Sequence, residues 1–198
     1  MNNEISFTKL GKYFSDRVAL DLSELAEISA KFSRISAKKN QFLLRAGDVC
    51  NAYYFVEKGC IRLFTISDRG EEMTRHFAFE GTFGTALPSL IDKRPSFDFV
   101  QTTEKSSLLC ISRQDFFDLV DRSVPFARIY REILELAFIH AQRRIYNFQG
   151  MNASEKVAWT LANQPILFQR VSNRLLASYL GITASTLSRV KSRKIGKY

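Results

Sequence analysis

The side chains of this sequence that could act together chemically are cations. From Arg122 to Tyr198 there are 13 Lys and Arg against three Asp and Glu, whereas Met1 to Asp121 is balanced at 16 against 17. After Glu155 no acidic residue occurs, while Lys156, Arg170, Arg174, Arg189, Lys191, Arg193, Lys194 and Lys197 are all basic. A solvated face normally mixes both signs. A one-signed segment of this length points to a polyanionic partner, either nucleic acid or an anionic membrane surface.

Other chemistries lack their residues. His76 and His140 are the only histidines, and Cys50, Cys60 and Cys110 stand apart without a CxxC pair. Neither a metal site nor a disulfide framework is expected, and each thiol reads as a buried group in a reducing compartment. An enzyme on a cupin-type barrel would need histidines and carboxylates grouped together, so no catalytic residue, metal or cofactor is expected. No apolar run approaches the roughly 20 residues of a membrane span, and the first residues, MNNEISFTKLGKYF, show no secretory signal. A cytoplasmic location is therefore expected.

The cations cluster on a patterned segment, VSNRLLASYLGITASTLSRVKSRK, residues 171–194. Ser172 can cap a helix running to about Leu180, Gly181 can adopt the positive φ of a tight stop, and Thr183 can cap a second helix to about Lys194. Two short helices joined at a glycine cross closely and need a small residue at the crossing with apolar ones around it. Ala177 is that small residue; Leu176, Leu180, Ile182, Leu187 and Val190 surround it. This is the pattern of a helix-turn-helix.

The second helix leaves Ala184, Ser185, Ser188, Arg189 and Lys191 or Ser192 facing away from that core, and Thr183 at its start is a further candidate DNA contact. Small polar residues plus Arg suit a helix entering the major groove, where Arg can bind guanine O6 and N7 together. Ser172, Asn173 and Arg174 at the first helix's N-terminus suit phosphate contacts, and Lys191, Arg193, Lys194 and Lys197 suit phosphate neutralisation. The membrane reading weakens here, because the apolar face is consumed by the helical hairpin.

The rest of the chain must position this head. Residues 5 to 32 read as helix, with Leu22, Leu25, Ile28 and Phe32 on one face and Asp21 with Glu24 in capping-box spacing. From Gln41 the texture turns to six β-rich runs punctuated by Gly47, Gly59, Gly70 and Gly81, the pattern of an antiparallel sandwich or barrel. In one run, Met73, Phe77 and Phe79 share a face opposite Glu72, Thr74, His76 and Glu80. Residues 82–96 break the alternation, as a plain connector or as an insertion carrying a ligand site. Ser112 starts a helix with Asp115 at capping distance. A long helix follows from Phe126 to about Phe148, with Phe126, Ile129, Ile133, Leu136 and His140 in one row and Tyr130, Leu134, Ala137 and Ala141 beside it. This helix reads as a strut between domains and a subunit interface, the alternative being simple packing within the chain. Asn152 and Glu155 announce a further helix, 153–163.

In this order the parts resemble the Crp/Fnr family of bacterial transcription regulators, carried by RAGD at 45–48, YFVEKGCIRLF at 54–64, GTFG at 81–84 and ASYLGITASTLSR at 177–189. The resemblance implies an α+β chain: a cyclic-nucleotide-binding-like β-roll with flanking helices at residues 1–121, a long dimerisation helix at 122–150, and an all-α helix-turn-helix domain at 151–198. It also implies an effector pocket at Phe83, Gly84, Thr85, Ala86, Leu87, Arg94, Ser96 and Phe97, and RNA polymerase as a candidate partner. Family members that bind cyclic AMP carry a Glu where this chain has Thr85 and an Arg near Ser96, so an altered or vestigial pocket with an unknown effector is expected. A phosphate buried without a charged partner would cost several kcal/mol. The cysteine cluster of the family's iron-sulfur sensors is absent, and Ala184-Ser185 replaces a common Arg-Glu pair, which implies a different operator. Only four residues follow Lys194, so no full wing is expected.

The leading expectation is a homodimeric regulator that binds specific double-stranded DNA. The alternative is a ligand-binding module that acts on a protein partner through its helix-turn-helix.

Overall fold

The computed structural model describes residues 8–195, and its residues form two compact units. One comprises the residues up to Thr65 with His76–Glu135; the other comprises Ile66–Arg75 with the residues from Leu136 onward.

The first unit opens with two short helices, α1 (Thr8–Ser15) and α2 (Leu22–Ala30), where the sequence pattern predicts one. The break follows from the capping box. Asp21 accepts the Glu24 amide at 2.8 Å, and the Glu24 carboxylate takes the Asp21 N–H, so a new helix starts at Leu22. Ile28 and Phe32 are buried as expected, whereas Leu22, in the first turn, is exposed.

Among the described residues eight strands follow: β1 (Ser33–Ala37), β2 (Phe42–Leu44), β3 (Ala52–Lys58), β4 (Ile61–Ile66), β5 (Glu72–Ala78), β6 (Phe83–Gly84), β7 (Phe99–Thr102) and β8 (Ser106–Ser112). They form two four-stranded sheets, ordered β1-β8-β3-β6 and β2-β7-β4-β5. The pairs β1–β8, β2–β7, β3–β6, β3–β8 and β4–β7 are antiparallel. The fold is α+β, an antiparallel roll flanked by helices. Gly47, Gly59, Gly70 and Gly81 all adopt positive φ. At Gly59, φ is +99° and a Cβ would sit 2.8 Å from the Ser106 Cα, so both conformation and space require glycine.

Between β6 and β7 lies a short helix, α3 (Leu87–Asp92), and after β8 comes α4 (Arg113–Arg122), whose Ser112 cap accepts the Asp115 amide. Hydrogen bonds from Ser112 and Lys31 hold the Asp115 carboxyl below the ordinary Asp range. The core is aromatic. Tyr53 stacks on Phe116 at 4.5 Å, and Phe116 meets Phe126 edge-on at 5.1 Å.

Phe126 lies on α5 (Val124–Gln149), together with Ile129; both are 1% exposed and sit in the core of the first unit. Three of the five residues of the interfacial row expected on this helix are therefore spent within the chain, since Ile133 packs partly buried against the same core, while Leu136 and His140 are exposed.

In the second unit, α6 (Ala153–Asn163), α7 (Pro165–Arg170), α8 (Asn173–Leu180) and α9 (Ala184–Ile195) enclose Val157, Leu167, Leu175, Leu176, Leu180 and Leu187. Asn152 and Glu155 form the capping box of α6. The Thr74 side chain, expected on the outer face of its strand, is 1% exposed, and Met73, expected inside, is 50% exposed. The reason is polar: Thr74 is held through its N–H and hydroxyl by Ser178.

Candidate nucleic-acid interface

The local sequence sets the geometry of the helical pair. Ser172 caps α8 by accepting the Leu175 amide, and Gly181 ends it in the left-handed region at φ 65°, ψ 39°. The Ala177 carbonyl accepts from both Gly181 N–H and Ile182 N–H, which closes the turn. Thr183 then accepts the Thr186 amide through its hydroxyl at 3.1 Å and starts α9. Helices α8 and α9 pack on each other, and α6 packs on α9. Ala177, Leu176, Leu180 and Leu187 are buried, and Ile182 and Val190 are half-buried.

This packing turns one side of the pair outward. Ser172, Asn173, Arg174, Thr183, Ala184, Ser185, Ser188, Arg189 and Arg193 are exposed, and Lys191 is half-buried. Small side chains occupy the first turn of α9. The Arg189 guanidinium folds back toward the Ser185 carbonyl at 3.5 Å and the Thr186 hydroxyl at 3.3 Å. Both are long, so the head can reach outward at little cost. Lys191 is more tightly placed. Its ammonium donates to Asn173 Oδ1 at 2.9 Å and lies 5.7 Å from the Phe168 ring centre, tying α9 to α8 and α7. Arg174 pairs with Glu72 at 3.2 Å. Nothing is described of the Lys194 side chain, and Lys197 lies outside the described residues.

The residues expected to line an effector pocket are divided. Thr85 and Ser96 are buried, but their hydroxyls serve the protein itself. Thr85 Oγ1 donates to the Ala52 carbonyl at 2.8 Å and stands 3.2 Å from Cys50 Sγ; Ser96 Oγ accepts the Asp98 amide at 2.9 Å. Phe83 sits in an aromatic group with Tyr13, Phe32, Tyr53 and Phe55, Gly84 and Ala86 are buried, and Leu87 is half-buried. Arg94 is exposed, and Phe97 is 88% exposed.

Sequence reasoning missed two cations. Arg62 is 2% exposed, donates through Nε and Nη2 to Gln101 Oε1, its register partner across β4 and β7, and covers the Phe64 ring at 3.8 Å. The only signal was an Arg inside an apolar run. Arg144 on α5 donates to the carbonyls of Thr74, Arg75 and Tyr179, and burial draws its pKa down. Among the described residues, no group of three His, Cys, Asp or Glu could hold a metal ion, and no helix is long and apolar enough to cross a membrane.

Residues 34–123 match the family model of the cyclic nucleotide-binding domain. The chain is 29% identical over 173 residues to an anaerobic regulatory protein of Pasteurella multocida, an alignment covering 79% of this chain and 60% of that relative's length. Among solved structures it is similar to FixK2 from Bradyrhizobium japonicum, with a TM-score of 0.74 and 18% identity over 84% of this chain and 85% of that one. It is also similar to TTHA1359, a Crp/Fnr-family transcriptional regulator of Thermus thermophilus, with a TM-score of 0.66 and 17% identity over 83% and 87% of the two chains. Residues 34–123 thus match the model of that domain, and the chain has the fold of the Crp/Fnr regulators.

Proposed function

We propose that this protein is a homodimeric, sequence-specific DNA-binding regulator of transcription that works in the cytoplasm. In this reading α9 enters the major groove with Ala184, Ser185 and Ser188 close to the bases and Arg189 on a guanine, while Ser172, Asn173, Arg174 and Arg193 hold phosphates. Lys191 anchors the reading helix through Asn173. The observation that carries the proposal is the outward side of α8 and α9, where small polar and cationic side chains are exposed on a segment without a single acid after Glu155.

The distal half of α5 supports a second copy as partner. Phe138 and Ile145 are seven residues apart, as are Ile139 and Tyr146, and all four are exposed, at 65%, 49%, 41% and 72%. Apolar rows at that spacing are the seam of a helix pair. The functional division then follows residues 1–121, 122–150 and 151–198, as effector module, dimer helix and DNA-binding module. The roll is read as having an altered effector pocket that does not answer to cyclic AMP, because the hydroxyls of Thr85 and Ser96 are bonded internally and Arg94 is outside.

Selecting bound fragments from genomic DNA tests the proposal. Enriched fragments should share a two-fold related site with halves about one helical turn apart. Binding should weaken with salt at a slope of about −0.9 per phosphate neutralised. Failure to enrich any fragment at low salt would contradict it.

A further inference from the structure

The turn Ser67–Glu71 and the start of β5 belong to the same compact unit as α8. Three side chains lock strand and helix together. Ser178 Oγ donates to the Glu72 carbonyl at 2.8 Å, accepts the Thr74 amide at 2.9 Å, and lies 2.9 Å from the Thr74 hydroxyl. Arg144 bridges the same two elements, donating to Arg75 O at 2.6 Å and to Thr74 O and Tyr179 O at 3.0 Å each. Its guanidinium also stands 4.7 Å from the Tyr179 ring centre.

These bonds fix the position of one carboxylate. Residues 174 and 178 are one helical turn apart on α8, so a strand pinned at Ser178 presents its Glu72 side chain to Arg174. The contact is made: Glu72 Oε2 lies 3.2 Å from Arg174 Nη1. The Arg174 side chain is 71% exposed, so a phosphate can reach it, whereas the Glu72 side chain is only 27% exposed and held close by its anchored backbone. A carboxylate and a phosphate oxygen make the same charge-assisted bond to a guanidinium.

We propose that Glu72 is a built-in competitor for DNA: on Arg174 it occupies the place that a backbone phosphate takes when α8 docks on a duplex. This rests on the DNA-binding reading of α8 and adds to it a regulatory device. The unbound chain keeps one phosphate contact internally satisfied, and any movement of β5 that withdraws Glu72 frees it. The Arg174 side of the ion pair is open to solvent, so its removal should change affinity by about two- to five-fold, as for surface ion pairs.

The test is a double-mutant cycle on the full chain with a duplex it binds. Glu72→Gln should tighten binding about two- to five-fold, Arg174→Ala should weaken it, and Glu72→Gln in the Arg174→Ala background should change nothing further. An unchanged affinity for Glu72→Gln beside a weakened Arg174→Ala overturns the proposal. So does equal tightening in both backgrounds, which would reflect only lost negative charge. The carboxyl carbon resonance of Glu72 in the unmutated chain reports independently of folding defects. Adding duplex should shift it toward its position in Arg174→Ala, and a resonance that stays in place contradicts the exchange. Absence of any duplex binding by the unmutated chain would remove the DNA-binding reading itself.

Discussion

The loop that follows β6 and the pair α8–α9 treat their polar side chains in opposite ways. In the loop, Thr85, Ser89 and Ser96 are buried with their hydroxyls bonded to backbone groups of the same unit, and the cation Arg94 is outside. In the pair, Ser185, Ser188, Arg189 and Arg193 are exposed, and the Arg189 head makes only long contacts within its own helix. A side chain already satisfied inside the protein has little left for a ligand, since a new bond must first replace an old one. Groups held out in water on a rigid helix are poised for an external partner. The contrast supports the proposal that recognition lies in the C-terminal helices, and in that reading the roll is a scaffold whose hydroxyls at Thr85, Ser89 and Ser96 already serve the protein itself.

The sharpest way to break this contrast is through packing. Phe116→Ala should cost the roll about 3–5 kcal/mol, and Leu187→Ala should cost the helical pair about 2–5 kcal/mol. Denaturant unfolding checks both. The account further expects Leu187→Ala to abolish DNA binding, because α9 loses its buried anchor. DNA binding that survives Leu187→Ala would detach recognition from the helix-turn-helix.

At the small end is an expected null. Titration calorimetry with micromolar cyclic AMP should give no heat of binding, because the buried Thr85 and Ser96 hydroxyls are bonded internally and Arg94 is exposed. A clear heat would show that the loop re-routes to bring in Arg94, and the contrast between the two regions would narrow.

Much of this architecture was legible in the residues. Caps were the most transferable signal: Asp21, Ser112, Asn152 and Ser172 all accept the backbone N–H groups that their spacing to the next helix implies. Gly181 takes the positive φ that its place between two helices requires. What failed were positions settled by distant contacts. Strand β1, SRISA, is too polar to stand out, and it exists because it pairs with β8 about 70 positions away. Thr74 is buried because Ser178 holds it, which alternation along β5 does not contain. Phe126 and Ile129 carry the same apolar signal as the rest of their row, yet they pack in the core of their own chain, and periodicity alone cannot assign an apolar stripe to one partner or another. The outward residues of α8 and α9 were readable because their placement follows from one local rule, the crossing at Ala177 and Gly181.

The central claim, that Arg189 reads a guanine from the major groove, is tested most directly by removing one acceptor atom from the DNA. In a duplex selected by the protein, each guanine is replaced in turn by 7-deazaguanine, which lacks the N7 acceptor, and affinity is measured for the unmutated chain and for Arg189→Ala. The account predicts a position at which the replacement costs the unmutated chain about 1–3 kcal/mol and costs Arg189→Ala nothing, with random duplex unaffected by either change. Equal losses for the two proteins at every position, or no loss at any, would contradict it.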